Sequence, residues 1–172
     1  MTAARSGEPV TGVVRAATPA DLPTVLELIH ELARYEREPD AVQATEEDLR
    51  VALFGPQPAA FCHVVAADGA VAGFALGYFT FSTWTGQRGV HLEDLFVRPA
   101  FRGRRYGAAL LVHLAQLCTS QGYTRLEWDV LDWNEPAIGF YRSLGAVPVD
   151  GWTRYRLAGT ALGDLGEHAS VR

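Results

Sequence analysis

Apolar and polar positions along the chain follow two periods, one near 3.6 residues and one of two residues, and these predict its elements. A helical period runs through "TPADLPTVLELIHELARYE", with Thr18 as the cap and Pro19 at the first helical position. The apolar face of this helix is formed by Leu22, Val25, Ile29 and Leu32. A second, shorter helix is predicted after the capping box Thr45-x-x-Asp48, and it stops at Gly55.

The period of two predicts the strands. Residues 10–17 form the first strand, and a hairpin follows in which "AFCHVVAA" and "AVAGFALGYFTF" are joined by the turn Asp68-Gly69. "GVHLEDLFV" is predicted to be a fourth strand and "TRLEWDVL" a fifth. "GWTRYRL" alternates like a last strand near the end of the chain.

Two more helices are predicted between these strands. One covers residues 105–121, and its inward side chains are Leu110, Leu111, Leu114, Leu117 and Cys118. The other, "NEPAIGFYRSLGA", is capped by Asn134 and ended by Gly145. The order β-α-α-β-β-β-α-β-α-β predicts an α/β fold with a mixed central sheet flanked by helices. We expect a single domain over residues 1–158 and a flexible C-terminal tail over residues 159–172.

Composition excludes several classes of function. The net charge is −5, which argues against general nucleic-acid binding, and all fifteen basic residues are arginine, which removes lysine-based covalent chemistry. The five histidines form no ligand pair, so no metal site is expected. No apolar run is long enough for a membrane span, and the N-terminus lacks the apolar centre of a signal peptide. With only Cys62 and Cys118, the chain is expected to be a reduced cytoplasmic protein.

The segment "RPAFRGRRYGAA" places arginines and glycines where the fourth strand passes into a helix. Backbone N–H groups at a helix start, with glycines that let a ligand approach, can bind an anion, and arginines add contacts to phosphate. Residues 102–108 are therefore a candidate pyrophosphate cradle. A glycine turn on an arginine-rich surface explains the same residues equally well. The segment is neither a Walker A loop, because lysine is absent, nor a GxGxxG fingerprint.

Two adjacent carboxylates, Glu93 and Asp94, lie on the otherwise apolar fourth strand. The period of two predicts that they point to opposite faces, so that one can face a cleft while the other packs or pairs elsewhere. Carboxylates on such a strand are costly to bury, which makes them candidates for proton transfer. A strand-end pair held by arginine is the structural alternative.

Arg102-x-x-Arg105-x-Gly107 after "LEDLFVRPAF", followed by "WNEPAIGFYRSLGA", resembles the GCN5-related N-acetyltransferase (GNAT) superfamily. "TEEDL", "STWTG", "LEDLFV" and "VLDWNEPAIGFYRSLGA" resemble its spermidine/spermine and thialysine N-acetyltransferase subgroup. The resemblance runs from about Val13 to Leu157. One departure is Arg105, where the family motif has a glycine. Because a bulky residue tolerates a positive φ poorly, we expect Arg105 to be helical already and to add a phosphate contact.

The resemblance implies a GNAT fold and acetyl-CoA as co-substrate. It implies that the backbone of Leu95, Phe96 and Val97 pairs with the pantetheine amides and that one of these N–H groups polarises the thioester carbonyl. The residues implied to bind acetyl-CoA are Leu95, Phe96, Val97, Arg102, Gly103, Arg104, Arg105, Tyr106, Gly107, Ala108, Asn134, Pro136, Ala137 and Tyr141. Asn134 is a helix cap in either interpretation.

The resemblance also implies the catalytic pair and the acceptor site. Glu93 matches the glutamate that contacts the amine and relays its proton, and Tyr141 matches the tyrosine that donates a proton to the CoA thiolate; without the resemblance, Tyr141 reads as a core residue. The residues implied on the amine side are Tyr35, Glu36, Trp84, Glu93, Glu127, Asp129, Asp150 and Trp152. Carboxylates and aromatic rings suit a cationic amine, although a solvated acidic face explains Glu127 and Asp129 as well.

These features predict an acetyl-CoA-dependent N-acetyltransferase that acts on a small cationic amine by direct attack. The acceptor is expected to be thialysine, a lysine-like amine or a short di- or polyamine. Ser82 stands where the polyamine-specific branch has an acidic residue, which favours short amines over spermine. A different small molecule or a protein N-terminus is an alternative acceptor, and a non-catalytic CoA-binding module is an alternative function. A cytoplasmic homodimer without nucleic-acid or membrane partners is expected from the resemblance.

Overall fold

A computed structural model describes residues 12–167. The strands are β1 (Val13–Ala16), β2 (Phe61–Ala67), β3 (Ala70–Ser82), β4 (Gln87–Val97) and β5 (Leu126–Trp128). The helices are α1 (Leu22–Tyr35), α2 (Glu46–Phe54), α3 (Tyr106–Ser120), α4 (Glu135–Ser143) and α5 (Gly159–Glu167), with short 3-10 turns at Pro19–Asp21 and Pro99–Phe101. The chain divides into two units, one ending at Asp129 and the other beginning at Val130.

The first unit contains a five-stranded sheet in the order β1-β2-β3-β4-β5. Neighbouring strands are antiparallel except for β4 and β5, which are parallel. The turn between β2 and β3 is the predicted Asp68-Gly69 pair, and both residues have a positive φ, of 54° and 76°. This geometry suits a two-residue hairpin, because its twist matches that of the flanking strands. The mixed sheet confirms the predicted fold class.

Helices cover both faces of the sheet. Leu22, Val25 and Leu28 of α1 pack with Leu49 and Leu53 of α2 against one face, which also contributes Cys62, Val64, Phe74 and Phe96. Side chains alternate along β2, so His63 points to the other face, where its ring lies 4.4 Å from that of His113 in α3. Arg98, directly after β4, pairs with Glu27 at 3.0 Å and Glu31 at 2.9 Å, which links the end of β4 to α1.

The caps follow the sequence closely. Thr45 and Asp48 form the predicted capping box of α2, which ends at Gly55. The side chain of Asn134 accepts the backbone N–H of Ala137 at 3.3 Å and caps α4. Leu22 and Val25 are buried as predicted, whereas Ile29 and Leu32 are only partly buried and Leu28, which was not predicted on this face, is fully buried.

The prediction of a last strand is wrong. The segment "GWTRYRL" is irregular, Tyr155 is 91% exposed, and no strand within residues 12–167 pairs with it. Alternation alone does not make a strand, because a strand needs a hydrogen-bonded neighbour. Residues 159–167 form the helix α5 instead of a frayed end. Residues 10, 11 and 168–172, which belong to the predicted first strand and tail, lie outside the described residues, and the domain boundary at 158 stays a prediction.

No helix within residues 12–167 has the length and apolar character that a membrane span requires. The described residues also contain no group of three or more histidine, cysteine, aspartate or glutamate side chains placed to hold a metal ion. Both cysteines are buried, and burial raises the pKa of the Cys62 thiol to about 12.

Candidate active site

A β-bulge in β4 is the centre of the candidate site. Leu76 of β3 pairs with Asp94, and the next residue, Gly77, pairs with Leu92, so Glu93 is an extra residue without a partner on β3. A Cβ on Gly77 would lie 2.6 Å from the carbonyl oxygen of His91, so only glycine lets the backbones approach this closely. The sequence predicted that Glu93 and Asp94 point to opposite faces of the strand but did not predict the bulge, in which Glu93 is the extra residue.

The Glu93 side chain points toward His91, which lies two residues earlier on β4. The carboxylate Oε2 lies 3.7 Å from Nε2 of His91, and the Glu93 side chain is 57% exposed. His91 is buried, and its ring stacks on that of Tyr78 with a centroid distance of 4.9 Å. His91 was not predicted as a site residue, because its approach to Glu93 depends on the bulge, which the sequence of one strand does not reveal.

Asp94 is directed away from solvent. Burial, together with the nearby carboxylates of Glu93 and Glu36, raises the pKa of its carboxyl group to about 6. Glu36 follows the last residue of α1, and burial raises the pKa of its carboxyl as well. Glu36 and Glu93, both predicted on the amine side, therefore act electrostatically on Asp94, and the three carboxyls form one acidic group.

The other predicted carboxylates of the acceptor side follow along β5. Glu127 is the register partner of His91, and its Oε2 lies 3.0 Å from Nε of Arg125. Asp129 lies just beyond β5, and its Oδ2 is 3.9 Å from Nε2 of His91. Asp129 is thus beside the acidic group around Glu93, while the charge of Glu127 is balanced by an arginine.

The edge of β4 is open beyond the bulge. β5 pairs with β4 only from Val90 to Leu92, and no other strand within residues 12–167 lies on that side. The segment Glu93–Val97 thus presents backbone N–H and C=O groups on one edge, and an extended ligand can pair with such an edge as an added strand would. The predicted amide-binding residues Leu95, Phe96 and Val97 all belong to this open edge.

The loop after β4 has the backbone of an anion site. The first helical hydrogen bond of α3 runs from the Ala109 N–H to the Arg105 carbonyl, so the N–H groups of Tyr106, Gly107 and Ala108 precede it. The Arg105 side chain does not cap them. Gly103 has a φ of 79°, which a side chain would strain. N–H groups that converge at a helix start suit phosphate oxygens.

The expectation of a helical Arg105 is wrong. Its φ is 62° and its ψ is 17°, which is the left-handed conformation. A left-handed residue followed by right-handed ones turns successive N–H groups toward one point and forms a concave anion-binding nest. Arginine thus stands at a position that favours glycine, and this conformation costs about 1 kcal/mol in a residue with a Cβ.

Two of the loop arginines contact other parts of the first unit. The Arg102 guanidinium lies 5.1 Å from the ring centroid of Tyr35, and its Nε donates to the Val97 carbonyl at 3.1 Å. Arg104 pairs with Asp68 in the β2–β3 turn at 2.6 Å. Tyr35, predicted on the amine side, therefore lies against the loop.

The remaining predicted residues lie elsewhere. Trp84 is in the β3–β4 turn and is 87% exposed. Pro136, Ala137 and Tyr141 belong to α4, in the second unit, and Tyr141 is partly buried there beside Phe140, with a ring centroid distance of 5.4 Å. In the same unit, Asp150 and Trp152 lie in exposed irregular chain.

Known proteins resemble the chain in sequence and fold. The thialysine N-epsilon-acetyltransferase of Bos taurus is 37% identical over 164 residues, which cover 89% of this chain and 96% of that protein. The human spermidine/spermine N(1)-acetyltransferase-like protein 1 is 33% identical over 88% of this chain and 23% of its own length. The solved structure of an integron cassette protein from the V. cholerae mobile metagenome superposes with a TM-score of 0.77 at 26% identity, over 91% of this chain and 98% of that one. The model of the acetyltransferase (GNAT) family matches residues 23–146. The chain therefore belongs to the GNAT family and is an N-acetyltransferase.

Proposed function

We propose that the chain transfers the acetyl group of acetyl-CoA to a small cationic amine by direct attack of the amine nitrogen. The acceptor class is thialysine, other lysine-like amines and short di- or polyamines. The observation that carries this proposal is the acidic group of Glu93, Asp94 and Glu36, which lies at the bulge where the edge of β4 opens. A cationic amine fits such a group, because the carboxylates already repel one another and gain from a positive charge.

The residues of the first unit fit acetyl-CoA. The nest at the start of α3, with Gly103 and Arg105, suits a pyrophosphate, and the open edge at Leu95–Val97 suits an extended chain with amide groups. When bound, acetyl-CoA supplies an activated acyl group. The backbone N–H groups of the open edge are then donors for a developing oxyanion.

Two side chains are proposed to handle protons. An alkylammonium group with a pKa near that of lysine, about 10.4, is almost fully protonated at neutral pH, so a base must take one proton before attack. Glu93 has that role, since its carboxylate is partly exposed and lies at the open edge. Tyr141 is proposed to donate a proton to the leaving thiolate, because a phenol has a suitable pKa of about 10.

The site is proposed to favour short amines, because it has no acidic side chain at position 82. Ser82 is buried, and its hydroxyl oxygen accepts the Thr85 N–H at 3.4 Å, so this position carries no negative charge. A long polycation would then place an ammonium group without a carboxylate partner. Thialysine, lysine-like amines and short diamines are therefore better acceptors than spermine, with Asp150 available for one distal charge.

The experiment is to measure free thiol release from acetyl-CoA with thialysine, putrescine, spermidine and spermine at one pH and one salt concentration. The proposal expects the highest kcat/KM for thialysine or a short diamine. A clear preference for spermine would contradict the acceptor assignment. Binding of acetyl-CoA without turnover on any amine would instead support a non-catalytic CoA-binding module.

A cytoplasmic homodimer is proposed on the resemblance alone. Light scattering on the purified chain tests the oligomeric state.

A further inference from the structure

His91 is a buried imidazole between two carboxylates. Its side chain is 9% exposed, and Nε2 lies 3.7 Å from Oε2 of Glu93 and 3.9 Å from Oδ2 of Asp129. Both carboxylates are mostly exposed to solvent. The imidazole is therefore the buried member of this three-residue cluster, and the two carboxylates are its solvent-facing members. One ring nitrogen thus faces the proposed base of the reaction and a second acid at the same time.

The sheet fixes this arrangement. His91 pairs with Tyr78 of β3 in the antiparallel register and with Glu127 of β5 in the parallel register. The stacked Tyr78 ring restricts the imidazole, and the bulge turns Glu93 toward it. Asp129 is two residues beyond Glu127 and therefore lies on the same face.

The side chains around His91 come from its own strand, β4, and from the neighbouring strands β3 and β5 or residues next to them. β3 contributes the aromatic ring of Tyr78, and β4 supplies the carboxylates of Glu93 and Asp94. At β5, Glu127 pairs with Arg125, and Asp129, just beyond the strand, is the acid next to the imidazole. The carboxylate oxygens of Glu93 and Asp129 lie 3.7 Å and 3.9 Å from the same nitrogen, Nε2, so that a proton can pass between either of them and this nitrogen. Histidine is also the side chain best suited to gain and lose a proton near neutral pH.

We propose that His91 is a positioning residue for Glu93 that also takes over the proton which Glu93 removes from the amine. This inference rests on the proposed function. The N–H bond of the acceptor ammonium breaks as an O–H bond forms on Glu93. That O–H bond then breaks as an N–H bond forms at Nε2 of His91, which restores the Glu93 carboxylate. Asp129 stabilises the resulting imidazolium, and the proton leaves along Asp129 to water, so that one proton is released per amine and no electrons are transferred.

The geometry is compatible with this transfer. In the structure Oε2 of Glu93 is just beyond hydrogen-bond distance of Nε2, and hydrogen bonds of this kind are commonly longer before a substrate binds. Glu93 is the exposed partner and His91 the buried one, so a small rotation of the glutamate closes the distance while the stacked ring stays in place.

The test compares His91→Gln with the wild type on two acceptors. One is a lysine-like alkylamine, which is an ammonium ion at neutral pH, and the other is a fluorinated alkylamine of low basicity, which is already neutral there. We expect kcat/KM for the alkylamine to fall about 10- to 100-fold near neutral pH and to recover as pH rises, whereas the weakly basic amine changes by less than about threefold. Glu47→Gln is the matched control, since that exposed side chain contacts Arg50 on α2 and should leave both acceptors unaffected.

The outcomes separate the possible roles. Equal losses on both amines at every pH would mean that His91 only supports the fold, and wild-type rates in His91→Gln would mean that it has no role; either overturns the inference. If His91→Gln does not fold, as judged by thermal unfolding, Asp129→Asn gives the second reading. In this variant kcat/KM for the alkylamine should fall selectively, by a smaller factor than in His91→Gln. An equal fall for both acceptors, or no change, contradicts the proposal. A wild-type chain that acetylates no amine would refute the proposed function itself, which is a different result from an active enzyme that is insensitive to His91.

Discussion

The two ends of the segment from His91 to Arg105 carry opposite charge, and they treat that charge differently. In the loop after β4, Arg102 lies against Tyr35 and Arg104 pairs with Asp68. At the bulge, Glu36 and Asp94 form no ion pair with any residue among 12–167, and burial, followed by like charges, raises the pKa of Asp94. Two of the loop arginines thus have partners within the protein, an aromatic ring and a carboxylate, whereas the bulge keeps an excess of negative charge.

This difference suggests a separate way for each end to recognise its proposed ligand. The loop offers a shaped backbone, and an anion bound there is recognised mainly by N–H groups whose positions the fold fixes. The bulge offers unbalanced carboxylates, and a cation bound there relieves their mutual repulsion. Substitutions at the bulge should thus act on rate and pH dependence, and substitutions in the loop on conformation and donor affinity.

The largest effect is expected at the bulge. Glu93→Gln should lower kcat/KM about 100-fold near neutral pH, because the proposed base is lost while the shape of the side chain is kept. Activity should partly recover at high pH, where more of the amine is already neutral. The measurement is a pH–rate profile of thiol release. A profile of unchanged shape would remove Glu93 from the base role.

The second largest effect is expected at Tyr141, which belongs neither to the bulge nor to the loop after β4. Tyr141→Phe on α4 should lower kcat about 50-fold and leave the dissociation constant of acetyl-CoA nearly unchanged, since it removes one proton donor and no phosphate contact. Steady-state kinetics and direct titration with acetyl-CoA separate the two quantities. Wild-type activity in this variant would return Tyr141 to a purely structural role.

The third effect concerns the stability of the bulge. The Asp94 carboxyl has a pKa of about 6 in the fold against 3.8 in an unperturbed chain, so the folded state binds more protons between about pH 4 and about pH 6. Stability should fall as pH rises through that window. Asp94→Asn should remove this dependence and raise the free energy of unfolding by about 2 kcal/mol at neutral pH, with little change near pH 4.

Urea unfolding at several pH values measures this effect. Asp164→Asn, in the exposed helix α5, is the charge-matched control. A larger gain at low pH than at neutral pH would contradict the sign of the argument.

The smallest effect is expected in the loop. Arg105→Ala and Arg105→Gly both remove the guanidinium, but only glycine relieves the left-handed backbone. The glycine variant should therefore be about 1 kcal/mol more stable to unfolding than the alanine variant. Weaker acetyl-CoA binding in both, with a salt dependence, would indicate a phosphate contact by the side chain. Equal stability of the two variants would refute backbone strain at this position.

Most of the fold could be predicted from local signals. The capping box at Thr45, the Asn134 cap and the Asp68-Gly69 turn depend on neighbouring residues only, and all three are confirmed. The segment "GWTRYRL" could not be judged in this way, because whether a strand forms depends on a neighbour distant in the sequence.

The candidate site shows the same division. Residue types gave Glu93 and the loop of residues 102–108, but the bulge depends on the register between β3 and β4, which a single strand does not reveal. The conformation of Arg105 was mispredicted because steric preference argues against a left-handed arginine, and the nest overrides that preference. His91 was missed because alone it resembles any core histidine.

Gly77, on β3 opposite the bulge, is a position from which the candidate site could be altered indirectly. Any side chain at this position would press on the His91 carbonyl, which is 2.6 Å from where its Cβ would be. The strain would pass along the backbone into the bulge and shift Glu93, while every side chain of the proposed acceptor site would stay the same. A library of substitutions at position 77 and its neighbours on β3 would therefore shift the proposed functional groups without replacing them. Screening it for altered acceptor preference would require only a small number of variants.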